Sequence, residues 1–189
     1  RRNKECWHTK YDPKLAIVAG DYLLALSLKI VAQLNSPLVL EIFTENMLKV
    51  CNGEIAQYFK RYEVPSVEEY IKKSELKTGL LFFCIVKSAL VLSDVQNTQA
   101  EEFARKFGIA FQLKNDLKDA QEDIENGVYT LCSIYFKQEN PKCDKINSNE
   151  KAKMKAAEFL NKFIDDMVQG FDFAQNEGLR DCCEFLRRA

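Results

Sequence analysis

Gly108-Ile109-Ala110-Phe111-Gln112-Leu113-Lys114-Asn115-Asp116-Leu117-Lys118-Asp119 is the stretch whose pattern decides the fold. Residues 112, 115, 116 and 119 stand at i, i+3, i+4 and i+7, so on a helix they line one stripe. That stripe holds two amides and two carboxylates, whereas Ile109, Ala110, Leu113 and Leu117 lie off it and are apolar. The spacing predicts a helix with a buried face and a polar edge.

The same periodicity extends outward in both directions. Glycine (7) and proline (4) are scarce, and apolar residues recur mainly at three- and four-residue spacing, which argues for an all-α domain. Asp12-Pro13 supplies an N-cap and an N1 proline for a helix to about Leu34. Asn35-Ser36-Pro37 starts a second helix toward Tyr62, and Ser66-Val67-Glu68-Glu69 is a capping box for a short third. A further helix is predicted from Lys77 to about Leu92. Its run Leu80-Leu81-Phe82-Phe83-Cys84-Ile85-Val86 is nearly continuous, so it should be central and covered on most sides. The quoted stretch sits in a helix from about Thr98 to Glu122, followed by a turn at Gly127 and a short helix from Leu131 to Phe136. Residues 137–149 suit an exposed loop, and helices over about 150–173 and 177–188 close the chain.

At 189 residues and 47% hydrophobic, the chain can fill one core, and it is read as one helical domain over residues 1–189. Lys and Arg (27) nearly cancel Asp and Glu (28), so no general attraction to nucleic acid or an anionic membrane is expected. Any basic site must be local. Asp21 and Lys29 interrupt the run from Leu15 to Leu34, so no transmembrane segment is expected either. Seven cysteines, none in C-x-x-C pairs, suit free and mostly buried thiols in a reducing intracellular compartment. The chain opens on Arg1-Arg2 without an initiator Met and is read as processed or partial.

Taken alone, each motif has an ordinary account. Carboxylates at i and i+3 can share Mg²⁺, which typically takes one or two protein carboxylates plus phosphate oxygens and water. They can equally be a solvated acidic face, with Lys114 and Lys118 as neighbours. Lys77-Thr78 fits a helix surface pair, Phe82, Phe83 and Phe111 fit a core, and His8 lacks a second ligand.

The order of the motifs is more specific. Ala19-Gly20-Asp21-Tyr22-Leu23-Leu24, Gly53-Glu54-x-x-Gln57, Lys77-Thr78 and Phe111-Gln112-x-x-Asn115-Asp116-x-x-Asp119 follow one another. Together they resemble the trans-type prenyl diphosphate synthase family over roughly residues 1–131, and Arg1-Arg2 is similar to the arginine pair after that family's first aspartate-rich motif. The resemblance implies an isoprenoid-synthase-type helical bundle whose N-terminal helices are not in this chain. It implies an enzyme joining an allylic diphosphate to isopentenyl diphosphate, with Mg²⁺ assisting release of pyrophosphate. By the same resemblance Arg1 serves the allylic diphosphate, Arg2 the isopentenyl diphosphate, and Lys77 the allylic diphosphate. Thr78 and Gln112 line the place where the allylic cation forms, Phe111 adjoins that cavity, and Asp116 and Asp119 hold Mg²⁺, with Asn115 a weak third ligand. A homodimer or a heteromer is expected, in a compartment such as the mitochondrion or plastid.

The pattern departs from the family at two residues. Asn115 stands where a carboxylate is usual, and an uncharged amide weakens Mg²⁺ binding. Val128, in Gly127-Val128-Tyr129-Thr130-Leu131, stands where a lysine is usual and cannot offset phosphate charge. The alternative is therefore a non-catalytic member of the fold with a regulatory or structural role in a larger assembly.

Overall fold

Local signals in the sequence set most of the helix starts. In the computed structural model, which describes residues 5–171 and 177–187, every element is helical. The chain divides into two compact units, Arg1–Thr44 and Glu45–Ala189.

The first unit carries the short α1 (Trp7–Lys10), α2 (Pro13–Ala32) and the start of α3 (Pro37–Phe59). Asp12 caps α2 as expected, its carboxylate accepting from the Lys14 and Leu15 amides at 2.7 and 3.4 Å. One expectation is corrected here. By length and composition α2 is long and apolar enough to cross a membrane, because two charges do not outweigh the surrounding leucines, isoleucines and valines. Helices that bury their faces against protein share that composition.

In the second unit, α3 ends before the expected Tyr62. That residue turns the chain with φ 67° and donates its N–H to the Gly127 carbonyl at 2.8 Å. Gly127 itself has φ 69°, and a β-carbon there would lie 2.5 Å from the Tyr62 ring. Two constraints thus demand glycine at this turn. The Ser66 capping box forms in both directions, through Glu69 N–H to Ser66 Oγ at 3.1 Å and Ser66 N–H to Glu69 Oε2 at 2.9 Å.

Beyond the cap, the sequence reading separates a short helix from one starting at Lys77. The chain instead continues unbroken from α4 (Val67–Ser74) through a π-helical turn (Glu75–Gly79) into α5 (Leu80–Leu92). No proline or N-cap interrupts this run, so the mismatch is absorbed as a wider turn containing Lys77-Thr78-Gly79. That turn and α5 pack against α6 (Thr98–Lys118), which Asn97 caps by accepting from the Ala100 amide. The expected continuation to Glu122 does not occur. Asp119 ends α6 at φ −95°, ψ 10°, and α7 (Ala120–Glu125) follows.

The remaining helices are α8 (Leu131–Glu139), α9 (Glu150–Gln169) and α10 (Glu177–Arg187). Helix α6 is the hub of the unit, with α9, α10 and α8 also packed on it. Its Phe103, Ile109, Ala110 and Leu113 enter one core with Tyr70, Leu131, Leu160, Ile164 and Leu186. The loop after α8 is pinned by Ile146, buried with Phe136 and Ala152.

Two burial expectations fail. Helix α5 is not covered on most sides, since Ile85 is 68% exposed and Leu81 and Leu92 are exposed as well. The seven thiols are free, but only Cys132 and Cys183 are buried, and Cys6, Cys51 and Cys182 are exposed. Periodicity identifies a helix face without saying what lies against it.

The α6 contact with the π-helical turn depends on two glycines. A β-carbon on Gly108 would sit 2.8 Å from the Gly79 Cα and 2.9 Å from the Thr78 carbonyl oxygen, while one on Gly79 would sit 3.0 Å from the Arg105 carbonyl oxygen. Backbone atoms cannot yield as a side-chain end does. Gly108→Ala should therefore destabilise the protein by about 1–3 kcal/mol in equilibrium denaturation, despite alanine's higher helix propensity. An unchanged or raised midpoint would show that the two backbones can separate freely.

Candidate functional site

Three helical segments bring the polar groups together. The π-helical turn places Thr78 opposite Gln112 of α6, and the Thr78 hydroxyl donates to Gln112 Oε1 at 2.6 Å. Gln112 Nε2 in turn donates to Asp116 Oδ1 at 2.6 Å, one helical turn along. The other carboxylate oxygen, Oδ2, accepts from the Tyr70 hydroxyl of α4 at 2.6 Å. The carboxylate is thus held at both oxygens and the Gln112 amide at both ends, which fixes its orientation.

Charge surrounds this chain of hydrogen bonds. Lys77 pairs with Glu54 of α3 at 3.5 Å. Lys73, one turn before Lys77, holds its ammonium 5.3 Å from the Tyr70 ring centroid and donates to the Tyr129 carbonyl at 3.4 Å. Tyr70 is fully buried. Burial, then the Asp116 charge, pushes its phenol well above its usual range, so it remains a donor.

Burial also raises the Asp116 carboxyl, against the hydrogen bonds from Tyr70 and Gln112 and the charges of Lys73 and Lys77. Asp123 is pushed to about 6, first by burial and then by the charges of Asp116 and Asp119. Burial lowers the Lys73 ammonium, while Asp116 raises it. A cleft of about 290 Å³ opens on the Lys73 side, with Gly53, Gln57, Leu76, Val128 and Tyr129 in its wall.

Of the residues singled out in the sequence, Thr78, Gln112 and Asp116 are joined directly. Lys77 is directed to Glu54, and Asp119 caps α6 rather than continuing the helical stripe. Phe111 packs on Phe82 with ring centroids 5.8 Å apart and borders the core. Asn115 precedes Asp116 on the same helix. Arg1 and Arg2 lie outside the described residues.

Sequence reasoning missed Tyr70, Lys73 and Asp123. Asp123 extends the spacing of the quoted stretch by four residues beyond Asp119, which was a usable signal. Tyr70 had none, because a tyrosine in an amphipathic helix reads as core until its hydroxyl's partner is known.

Among the described residues no cluster of three His, Cys, Asp or Glu side chains is arranged to enclose a metal ion. The donors nevertheless suit Mg²⁺. They are hard oxygens, and burial, followed by the charges of Asp116 and Asp119, raises Asp123 beside them. Mg²⁺ needs only one or two protein carboxylates when phosphate oxygens and water complete its shell.

Asp123 has a consequence for stability. Its folded-state value lies above the ordinary aspartate value of 3.8, so the folded chain binds the proton more tightly than the unfolded one. The stability it contributes is full below about pH 4 and is lost as pH rises through about 6. Asp123→Asn should therefore raise the melting temperature at pH 8 more than at pH 4, measured without divalent ions. An equal shift at both pH values would contradict the raised Asp123 carboxyl.

The polyprenyl synthetase family model matches residues 1–167. A decaprenyl-diphosphate synthase of Dictyostelium discoideum is 29% identical, over 96% of this chain and 42% of its own length. The chloroplastic solanesyl-diphosphate synthase 2 of Oryza sativa subsp. japonica is 29% identical over 79% of this chain and 41% of its own length. A short chain isoprenyl diphosphate synthase of Methanocaldococcus jannaschii is 32% identical over 71% and 47%. The chain thus spans less than half the length of these curated relatives. Among solved structures, the heptaprenyl diphosphate synthase of Staphylococcus aureus superposes with a TM-score of 0.87 at 19% identity, covering 100% of this chain and 71% of the other. The octaprenyl pyrophosphate synthase of Helicobacter pylori gives 0.86 at 17% identity, covering 100% and 72%. These two likenesses identify the fold.

Proposed function

Because the chain belongs to the polyprenyl synthetase family, we propose that it forms the metal- and diphosphate-handling side of a trans-prenyl diphosphate synthase. The reaction joins an allylic diphosphate to isopentenyl diphosphate and releases pyrophosphate. The observation that carries this reading is the unbroken Thr78–Gln112–Asp116–Tyr70 chain of 2.6 Å hydrogen bonds. A surface acidic patch has no need of an amide and a buried phenol locking its carboxylate in place.

Each residue has work that follows from its setting. Tyr70 and Gln112 orient Asp116, and the low-dielectric surroundings that raise its carboxyl make an arriving cation more strongly bound. Asp116 and Asp119 would hold Mg²⁺, with Asn115 a weak neighbour. The ion would supply Lewis-acid stabilisation of the charge that develops on departing pyrophosphate. Lys77 offers a cation for the allylic diphosphate, exchanging its half-exposed partner Glu54 for phosphate. Thr78 and the Gln112 carbonyl present oxygen dipoles where positive charge forms on the allylic carbon. Arg1 and Arg2 complete the proposal as diphosphate ligands.

The exposed apolar side chains of α2 and α5 suit burial in an assembly, either a homodimer or a heteromer. A plastid or mitochondrial setting belongs to the same proposal, the rice relative being named chloroplastic.

Asn115 and Val128 favour a competing reading as a non-catalytic subunit, since each removes a charge the chemistry would use. An assay of the full-length protein with Mg²⁺, labelled isopentenyl diphosphate and allylic primers of several lengths separates the two. Product is expected, abolished by EDTA. Asp116→Ala should lower turnover by about a hundredfold or more. No product from any primer would establish the subunit reading, and full activity in Asp116→Ala would remove the metal role.

A further inference from the structure

Four cationic side chains line the cleft beside Val128: Lys60, Arg61, Lys72 and Lys73. Lys60 is neutralised by Glu69 at 3.1 Å and Lys72 by Glu75 at 2.9 Å. The Arg61 guanidinium is exposed and turned onto the Asn126 carbonyl, which its Nε reaches at 3.0 Å. Lys73 differs from all three. It is half-buried, and its hydrogen bond is a 3.4 Å contact with the Tyr129 carbonyl. An ammonium has three donors.

Lys73 also connects the cleft to the carboxylate network. Its ammonium lies over Tyr70, whose hydroxyl holds Asp116, and it feels the charges of Asp116, Asp123, Glu54 and Lys77. A partly desolvated cation with an open donor shell is stabilised by an arriving anion more than a surface lysine is. The adjoining wall residue, Val128, offers no charge.

We propose that Lys73 is a phosphate-binding residue of this cleft, taking a diphosphate oxygen at the wall formed by Val128 and Tyr129. The inference rests on the proposed reading of the neighbouring Lys77 and Asp116 as diphosphate- and metal-handling residues, and it assigns to Lys73, in the adjoining cleft, the positive charge that Val128 does not provide. The Lys73 ammonium, over the Tyr70 ring, then offsets diphosphate charge, while Lys77 acts one turn further along.

The test is calorimetric titration of the full-length protein with sodium pyrophosphate in MgCl₂. Lys73→Met should weaken binding by about tenfold, the usual consequence of losing one charge-assisted hydrogen bond. Lys73→Arg should retain most of the affinity, and Val128→Lys in the Lys73→Met background should recover most of it. Lys151→Met, far along the chain and paired with Glu139, should change nothing. Equal affinity of Lys73→Met and the unsubstituted protein would overturn this inference and leave the proposed function standing. A loss that Val128→Lys fails to recover would assign Lys73 a structural role, which also overturns it. No pyrophosphate binding by the unsubstituted protein would overturn both readings. Should Lys73→Met fail to fold by circular dichroism, Lys73→Gln replaces it under the same criteria.

Discussion

At Gly79 and Gly108 two helical backbones come so close that a β-carbon has no room at Gly108 and only a 3.0 Å approach to backbone at Gly79. The contact has consequences at both ends. Along α6 it sets how deeply Ile109, Ala110 and Leu113 enter the core shared with α9 and α10. Along the other segment it fixes the π-helical turn, whose Thr78 then meets Gln112 without any movement of its own. Widening the approach by even the radius of a methyl group would stretch a 2.6 Å hydrogen bond past its useful range. Packing and site geometry are therefore one constraint.

The electrostatics follow from the same placement. The turn carries Lys77 and is preceded by Lys73, while α6 and α7 present Asp116, Asp119 and Asp123. Burial raises the carboxyls at 116 and 123 and lowers the Lys73 ammonium, so both signs of charge are held in strained, partly desolvated states. Such a site favours ligands that bring charge of both signs. A divalent cation would relieve the carboxylates and a diphosphate the lysines, the pairing that the proposed magnesium diphosphate would bring.

Much of this arrangement was legible in the sequence because it depends on local rules. The Asp12 and Ser66 caps form as read, since an N-cap needs only its own next few amides. The link from Gln112 to Asp116 follows from helical spacing. Failures occur where the answer lies in a distant segment. The π-helical widening between α4 and α5 lies against α6, a neighbour that no window around Lys77 contains. Tyr70 reaches Asp116 across 46 residues of chain, and Lys73 reaches Tyr129 across 56. The exposure of Ile85 in a nearly continuous apolar run had the same origin, because hydrophobicity reports a need for cover and not its presence.

That distinction bears on Asn115 and Val128. Read along the chain, each stands where the family resemblance implies a charge, one negative and one positive, which fits either a compensated site or one falling out of use. In three dimensions the positive loss falls beside Lys73, which belongs to a different helix and to no motif. The negative loss falls on a helix that still presents Asp116 and Asp119, with Asp123 in reach of both fields. Charge lost from one position is thus available from a neighbour in space. A linear motif counts identities at fixed positions, whereas an anionic ligand would respond to the potential at its site, to which any nearby cation contributes.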